Sequence, residues 1–292
     1  MSREQNLTLF LDKAGFGDRQ RQMLAGDASS RRYVRLDGFP PLIIMDAPPE
    51  LGNDVRPFVR ITEVLRSYGY SAPEIIASDA EQGFLILEDF GDDLFARVVG
   101  QADETTLYAS AVDLLADLHA QATPDDVAPY DLDVYLQEAH LLTEWYLPAV
   151  GGAASSDITA QFKNILSARC APLKSEVLVL RDYHAENLLW LPDRTDHARI
   201  GLLDYQDALI GHPAYDVVSL LEDARRDTSV DLREAMIARY VATAGVDGDA
   251  FRTAYATLGA QRNIKILGIF ARLCVRDGKP AYLDLMPRVW AH

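Results

Sequence analysis

Leu180-Arg181-Asp182-Tyr183-His184-Ala185-Glu186-Asn187-Leu188-Leu189-Trp190 is followed downstream by Gly201-Leu202-Leu203-Asp204-Tyr205-Gln206-Asp207. Each polar cluster borders a short apolar run: Val177-Leu178-Val179-Leu180 before Asp182, and Ile200-Gly201-Leu202-Leu203 before Asp204. Apolar runs of this length between polar turns predict short buried strands bracketing a loop. Phosphoryl transfer from ATP needs a carboxylate facing the attacking hydroxyl. It also needs an amide oxygen and a second carboxylate as hard ligands for Mg²⁺. Asp182 is the candidate base, and Asn187 and Asp204 are the candidate metal ligands.

Further downstream, Asp207-Ala208-Leu209-Ile210-Gly211-His212-Pro213-Ala214-Tyr215-Asp216 leads into an apolar helical run. Gly211 and Pro213 read as turn residues. Asp216 opens the helix, where it either caps backbone N–H groups or reaches back to fix the Asp182 loop. In both readings it supports the site rather than acting in catalysis. Asp207 reads equally well as a supporting carboxylate behind Asp204 and as a solvated one. Of the histidines, His184 lies within the loop, and His119 ends a helix where a cation suits the dipole. The others form no metal-ligand pattern.

Working outward to the N-terminus, Arg32-Tyr33-Val34-Arg35-Leu36, Leu42-Ile43-Ile44-Met45 and Gly83-Phe84-Leu85-Ile86-Leu87 read as strands. One helix between them is entered through Pro57. After residue 93 the pattern turns helical: Leu107, Ala111, Leu114, Leu115 and Leu118 share a face, and Leu132 to Leu147 predicts a helix stopped by Pro148. The expectation is an α+β chain of two lobes, a sheet lobe over residues 1–90 and a mostly helical lobe over 91–292.

Composition narrows the classes. With 49% apolar and 25% charged residues in 292, the chain has the makeup of a globular protein with a large core. A net charge of −16 argues against a broad nucleic-acid surface. No apolar stretch is long enough to span a membrane and the first residues lack signal-peptide order, so a cytoplasmic protein is expected. Cys170 and Cys274 are far apart and read as reduced thiols. After Lys13 the next lysine is Lys163, a gap covering the whole sheet lobe.

The Asp182–Asn187 segment resembles the phosphotransfer motif of the aminoglycoside phosphotransferase and choline kinase superfamily, whose fold is the bilobal protein-kinase-like one. Two departures stand out. The family's loop histidine is replaced by Leu180, and the strand lysine that contacts ATP phosphates falls near Met45 and is absent. Arg31, Arg32 or Arg35 must then supply the cation, with Arg32 favoured. Gly26-Asp27-Ala28-Ser29-Ser30-Arg31-Arg32-Tyr33 resembles the nucleotide-positioning loop, with Ser29 and Ser30 letting backbone N–H groups approach phosphates. By the same resemblance, main-chain groups at Leu87, Glu88 and Asp89 hold the adenine.

The same loop together with Ile44-Met45-Asp46-Ala47-Pro48-Pro49-Glu50, Glu144-Trp145-Tyr146-Leu147-Pro148 and Gln261-Arg262-x-x-Lys265-x-Leu267-Gly268 is similar to the branch of bacterial amino-sugar anomeric kinases. That resemblance implies ATP and Mg²⁺ as cofactors. It implies a small-molecule sugar as acceptor, N-acetylmuramate or N-acetylglucosamine phosphorylated at C1 in cell-wall recycling, with no nucleic-acid or membrane partner. Trp145 and Tyr146 would wall the sugar pocket or else belong to the core. Arg262 and Lys265, on one helix face, would pair a substrate carboxylate or else be surface charges. Two rivals have distinct signatures. An aminoglycoside or choline-type kinase needs an acidic pocket with Arg262 and Lys265 turned away. A nucleotide-binding pseudokinase turns over no ATP.

Overall fold

The structure is a computed structural model describing residues 1–24, 30–100 and 103–292. Met1–Leu94 with Leu189–Asp207 form one compact unit, and Phe95–Leu188 with Ala208–His292 form another. The cut thus falls at Leu94/Phe95 rather than after residue 90, and a later segment returns to the first unit.

The chain is α+β. The first unit is built on an antiparallel sheet of β1 (Arg21–Met23), β2 (Arg32–Leu36), β3 (Leu42–Asp46), β4 (Ile75–Asp79) and β5 (Phe84–Glu88) in the order β1-β2-β3-β5-β4. Side chains alternate between faces along each strand. One face carries Val34, Leu36, Leu42, Ile44, Phe84 and Ile86, buried against Leu7, Phe10 and Leu11 of helix α1 (Arg3–Ala14). The other face carries Tyr33 paired with Met45, Arg35 with Ile43, and Ile43 in turn with Leu87.

Helix α1, β1 and β4 lay outside the sequence reading. The start of α1 had a signal, however: Ser2 and Gln5 form a reciprocal capping box. Helix α2 (Arg56–Ser67) carries Pro57 in its first turn, as expected, and buries Phe58, Ile61, Thr62 and Leu65. The strands Leu188–Trp190 and Ile200–Leu202 pair with each other. Leu202 N–H donates to the Ser71 carbonyl and Trp190 N–H to the Asp93 carbonyl, both at 2.8 Å.

The second unit is mainly helical: Glu104–Leu118, Leu132–Leu141, Ser156–Cys170, Ala214–Leu221, Val230–Ala244 and the long helix Gly248–Asp277. Val177–Val179 pairs antiparallel with Leu209–Gly211 and leads into the Asp182 loop. Gly211 is therefore the end of a strand, where a Cβ would come within 2.8 Å of Val179 Cγ2. The helix expected to run unbroken to residue 147 instead changes at Leu142–Tyr146 into a π-helical turn and then continues as Leu147–Ala149. At that change the long helix comes in through Gly268, where a Cβ would sit 2.4 Å from the Leu141 carbonyl carbon.

Candidate active site

The loop between Leu180 and Leu188 is held from several directions within the second unit. Arg181 has φ 70°, a conformation a side chain resists. It is fixed by Asp216, whose carboxylate accepts Leu180 N–H at 2.6 Å and Arg181 N–H at 2.8 Å. Asp216 is the residue that reaches back, not a helix cap. The Ser219 hydroxyl, one helical turn on, donates to the Arg181 carbonyl at 3.0 Å. The Tyr183 hydroxyl donates to the Ala111 carbonyl at 2.9 Å, and Ala96 N–H donates to the Ala185 carbonyl at 3.0 Å. These bonds shape the loop although Leu180 lacks the family's histidine.

Asp182 is left half-buried at the loop's crest. Asn187 donates its side-chain N–H to the Asp182 carbonyl at 2.9 Å, which leaves its Oδ1 as the acceptor atom of the amide. His184 is buried, and burial lowers its pKa. It is therefore neutral, and its Nε2 lies 3.3 Å from Asn187 Nδ2.

Behind Arg181 is a charged interior cluster. Glu138 pairs with the Arg181 guanidinium and, at 2.9 Å, with Lys265 Nζ, and it accepts from the Tyr130 hydroxyl. Burial pushes the Glu138 pKa up, but Lys265 and Arg181 outweigh it and hold the pKa below the usual value. Burial likewise opposes the Lys265 charge, which Tyr215 and Glu138 restore, so its pKa is raised. The Asp182 charge acts on both cations.

Arg262 and Lys265 are thus neither surface charges nor exposed pocket groups. Arg262 is 5% exposed and spends its guanidinium on Ser219 Oγ at 3.0 Å and the Glu222 carbonyl at 3.3 Å. Its charge braces the loop from inside. Trp145 and Tyr146 are half-buried on the π turn, and the Tyr146 ring lies 5.7 Å from the Trp290 ring.

In the first unit, Asp204 is exposed with φ 56° and accepts from Gln206 Nε2 at 2.8 Å, the same amide that lies 3.4 Å from the Asp207 carboxylate. Its neighbour Tyr205 is buried, stacked on Phe58 at 5.0 Å, with its hydroxyl 2.7 Å from Thr62 Oγ1. Helix α2 thereby fixes the strand end that presents Asp204. Mg²⁺ takes few protein ligands and completes its shell with phosphate and water oxygens. The amide oxygen of Asn187 in the second unit and the exposed carboxylate of Asp204 in the first are each a hard oxygen donor of the kind Mg²⁺ takes.

The nucleotide-binding expectations fare unevenly. Ser29 lies outside the described residues, while Ser30 is exposed with its hydroxyl against Asn53. Glu88 N–H is already bonded to the Glu74 carbonyl and Asp89 N–H to the Pro41 carbonyl. The Asp89 carboxylate grips Arg35 through two bonds, 2.5 and 3.1 Å. Arg32 points to the α1 face, where it pairs with the buried Asp46 alongside Arg3. Strand alternation therefore puts it on the face opposite Met45, so it cannot stand in for a lysine there. Glu138, Ser219 and Thr62 were missed by sequence reasoning. Only Ser219, three residues after Asp216 on the same helix face, carried a readable signal.

Residues 21–252 match the phosphotransferase enzyme family. The N-acetylmuramate/N-acetylglucosamine kinase of Caulobacter vibrioides is 39% identical over 331 aligned positions, covering 99% of this chain and 91% of that protein. The protein of the same name from Pseudomonas aeruginosa is 37% identical, covering 92% and 81%. Among solved structures, ADP-bound aminoglycoside phosphotransferase APH(2'')-Ib has a TM-score of 0.67 at 13% identity, covering 98% of this chain and 95% of that one. The choline kinase LicA from Streptococcus pneumoniae also reaches 0.67, at 12% identity and full coverage of both chains. At such identities these likenesses establish the fold, which is the protein-kinase-like one. With its family pattern and near full-length relatives in agreement, the chain belongs to the phosphotransferase enzyme family, as a kinase that phosphorylates a hydroxyl of a small molecule.

Proposed function

We propose that this enzyme transfers the γ-phosphoryl group of ATP, with Mg²⁺, to the C1 hydroxyl of an N-acetylated amino sugar, in the cytoplasm, as a step of cell-wall recycling. The observation that carries the reading is the 39% identity sustained across 91% of a relative named N-acetylmuramate/N-acetylglucosamine kinase.

In this reading Asp182 orients the acceptor hydroxyl and takes its proton late, because an anomeric hydroxyl is more acidic than an ordinary alcohol. Asn187 and Asp204 hold Mg²⁺, which when bound neutralises charge on the transferring phosphoryl group. Nucleotide handling falls to the first unit, through Ser30 and the main-chain groups at Leu87, Glu88 and Asp89 that are left after the Glu88 and Asp89 N–H groups bond Glu74 and Pro41. The base and the acceptor belong to the second, with Trp145 and Tyr146 offering aromatic faces to the sugar ring. Asp207 and Asp216 serve as supports.

The test is incubation with ATP, Mg²⁺ and a panel of N-acetylated amino sugars, aminoglycosides and choline, followed by ³¹P NMR. A sugar 1-phosphate is expected. Phosphorylation of aminoglycosides or choline alone overturns the acceptor, and no turnover with any acceptor overturns the enzyme reading in favour of a nucleotide-binding protein.

A further inference from the structure

Arg181 stands where the backbone would favour glycine. Its φ of 70° lies in the left-handed region, which a residue with a Cβ occupies only when its surroundings hold it there. Two of those holds come from the helix Ala214–Leu221 and act on the backbone. Arg181 N–H donates to Asp216 at 2.8 Å, and the Ser219 hydroxyl donates to the Arg181 carbonyl at 3.0 Å. Neither bond needs an arginine, and glycine would make both without strain. The arginine side chain thus serves a purpose other than the turn.

That side chain runs to Glu138 on the helix Leu132–Leu141, 43 positions earlier. The Glu138 carboxylate is a junction. Its Oε1 accepts from the Arg181 guanidinium and lies 2.9 Å from Lys265 Nζ on the long helix Gly248–Asp277. Its Oε2 accepts from the Tyr130 hydroxyl and from Gln261 Nε2 at 3.4 Å. Lys265 Nζ also donates to the Tyr215 hydroxyl at 3.2 Å, and the Arg181 guanidinium lies 5.1 Å from the centre of the Tyr130 ring. The side chains of Arg181, Glu138 and Lys265 are only 17%, 12% and 13% exposed, so salt and solvent screen them little. The helix that carries Glu138 runs directly into the π turn at Leu142–Tyr146. One ion pair therefore ties the residue before Asp182 to the element that leads into that turn, all within the second unit.

We infer that the Glu138–Arg181 pair is a positioning device for phosphoryl transfer, fixing Asp182 relative to the helix that leads into the Trp145–Tyr146 turn. This rests on the reading of Asp182 as the base and adds to it what sets the base in place. Neither residue touches the reacting atoms, and each acts through the backbone that carries Asp182. Transfer is sensitive to such placement, since a displacement of about 1 Å costs roughly 100-fold in rate. Lys265 gives Glu138 a second cation, so the carboxylate stays paired when Arg181 is removed.

Arg181→Gly separates positioning from loop shape. It cuts the strut, relaxes the left-handed turn and leaves Glu138 with Lys265. Steady-state kinetics with N-acetylglucosamine as acceptor, titration calorimetry with ATP and thermal melts would be run on the full chain. The variants are Arg181→Gly, Arg181→Lys, Glu138→Gln, the double variant Arg181→Gly with Glu138→Gln, and Asp182→Asn. Arg181→Gly is expected to lower kcat about 10- to 100-fold, with KM for the sugar and ATP affinity within about twofold of the parent. Arg181→Lys keeps the charge on a single-point donor and should recover part of kcat. Glu138→Gln should lower kcat alike, and the double variant should lose no more than the worse single one, because both cut the same link. Unchanged kcat in Arg181→Gly overturns the inference, as do losses that multiply in the double variant. Should Glu138→Gln fail to fold, with two cations left without a counter-charge, Arg181→Gly against Arg181→Lys decides: equal kcat in the two overturns the inference and partial rescue by lysine supports it. No turnover in the parent, or unaltered turnover in Asp182→Asn, overturns the base reading and the inference with it.

Discussion

Asp216 holds Leu180 N–H at 2.6 Å while its other oxygen holds Arg181 N–H at 2.8 Å, so one buried carboxylate sets the backbone on which Asp182 is mounted. Burial raises its pKa to about 7, while the two backbone donors pull the other way. Asp216→Asn keeps the shape but turns an N–H₂ toward one backbone N–H. Leaving that donor unsatisfied costs about 1–3 kcal/mol and lets the loop relax from its left-handed Arg181 conformation. The expected result is a drop in kcat of about 10- to 100-fold, with the affinity for ATP little changed. Steady-state kinetics beside ATP titration checks it, and unaltered kcat would remove Asp216 from the loop's support.

Arg262 offers a choice between two readings that a single variant decides. If it pairs an acceptor carboxylate, Arg262→Met raises KM for N-acetylmuramate and spares the neutral N-acetylglucosamine. Its bonds to Ser219 Oγ and the Glu222 carbonyl predict otherwise. Both acceptors should lose kcat to a similar degree, and stability should fall by about 1.5–3 kcal/mol as a hydrogen-bonded charge is lost. Kinetics with both sugars and a urea melt distinguish the outcomes.

The residues proposed to carry the chemistry stand out in the sequence because their signals are local. Asp182, Asn187 and Asp204 declare themselves through residue type and the apolar strands beside them, and β2, β3 and β5 through alternation. What was hidden depends on pairing between distant segments. That Arg32 and Met45 occupy opposite faces follows only from the Tyr33–Met45 register. That Arg262 faces inward depends on Ser219 and Glu222, far away in sequence. The π turn at Leu142–Tyr146 has no marker of its own, since the same residues read as ordinary helix, and Gly268 across from Leu141 is the feature that accompanies it.

Burial pulls His119 down to a pKa of about 3, with His212 lowering it further. It is therefore neutral where the helix-end argument expected a cation, and its Nδ1 is 2.7 Å from the Tyr240 hydroxyl. The folded value lies below the unfolded 6.5, so its contribution is present above pH 6.5 and lost as pH falls toward 3. At pH 5 the loss amounts to about 2 kcal/mol. Asp216, 4.0 Å from His119 Nε2, acts in the opposite sense, since its raised value costs stability as pH rises through about 7. Comparing the parent with His119→Gln keeps Asp216 common to both. Melts from pH 8 to 5 should show the parent losing stability relative to the variant, and parallel curves would contradict a neutral buried imidazole.

Gly268→Ala tests whether the π turn serves the acceptor. The new Cβ would fall 2.4 Å from the Leu141 carbonyl carbon and 2.5 Å from the Leu141 Cβ, and neither backbone can yield without moving a helix. Overpacking of this kind costs roughly 1–3 kcal/mol, and the cheapest relief is to push away the end of the helix Leu132–Leu141 and the turn that follows. Trp145 and Tyr146 ride on that turn, whereas Asp182 is tied to Asp216 and Ser219 on a different helix. The variant should therefore raise KM for the sugar several-fold, lower the melting temperature, and leave ATP affinity as it was. Loss of stability with an unchanged sugar KM would assign Trp145 and Tyr146 to packing alone, and the aromatic wall would have to be sought elsewhere in the second unit.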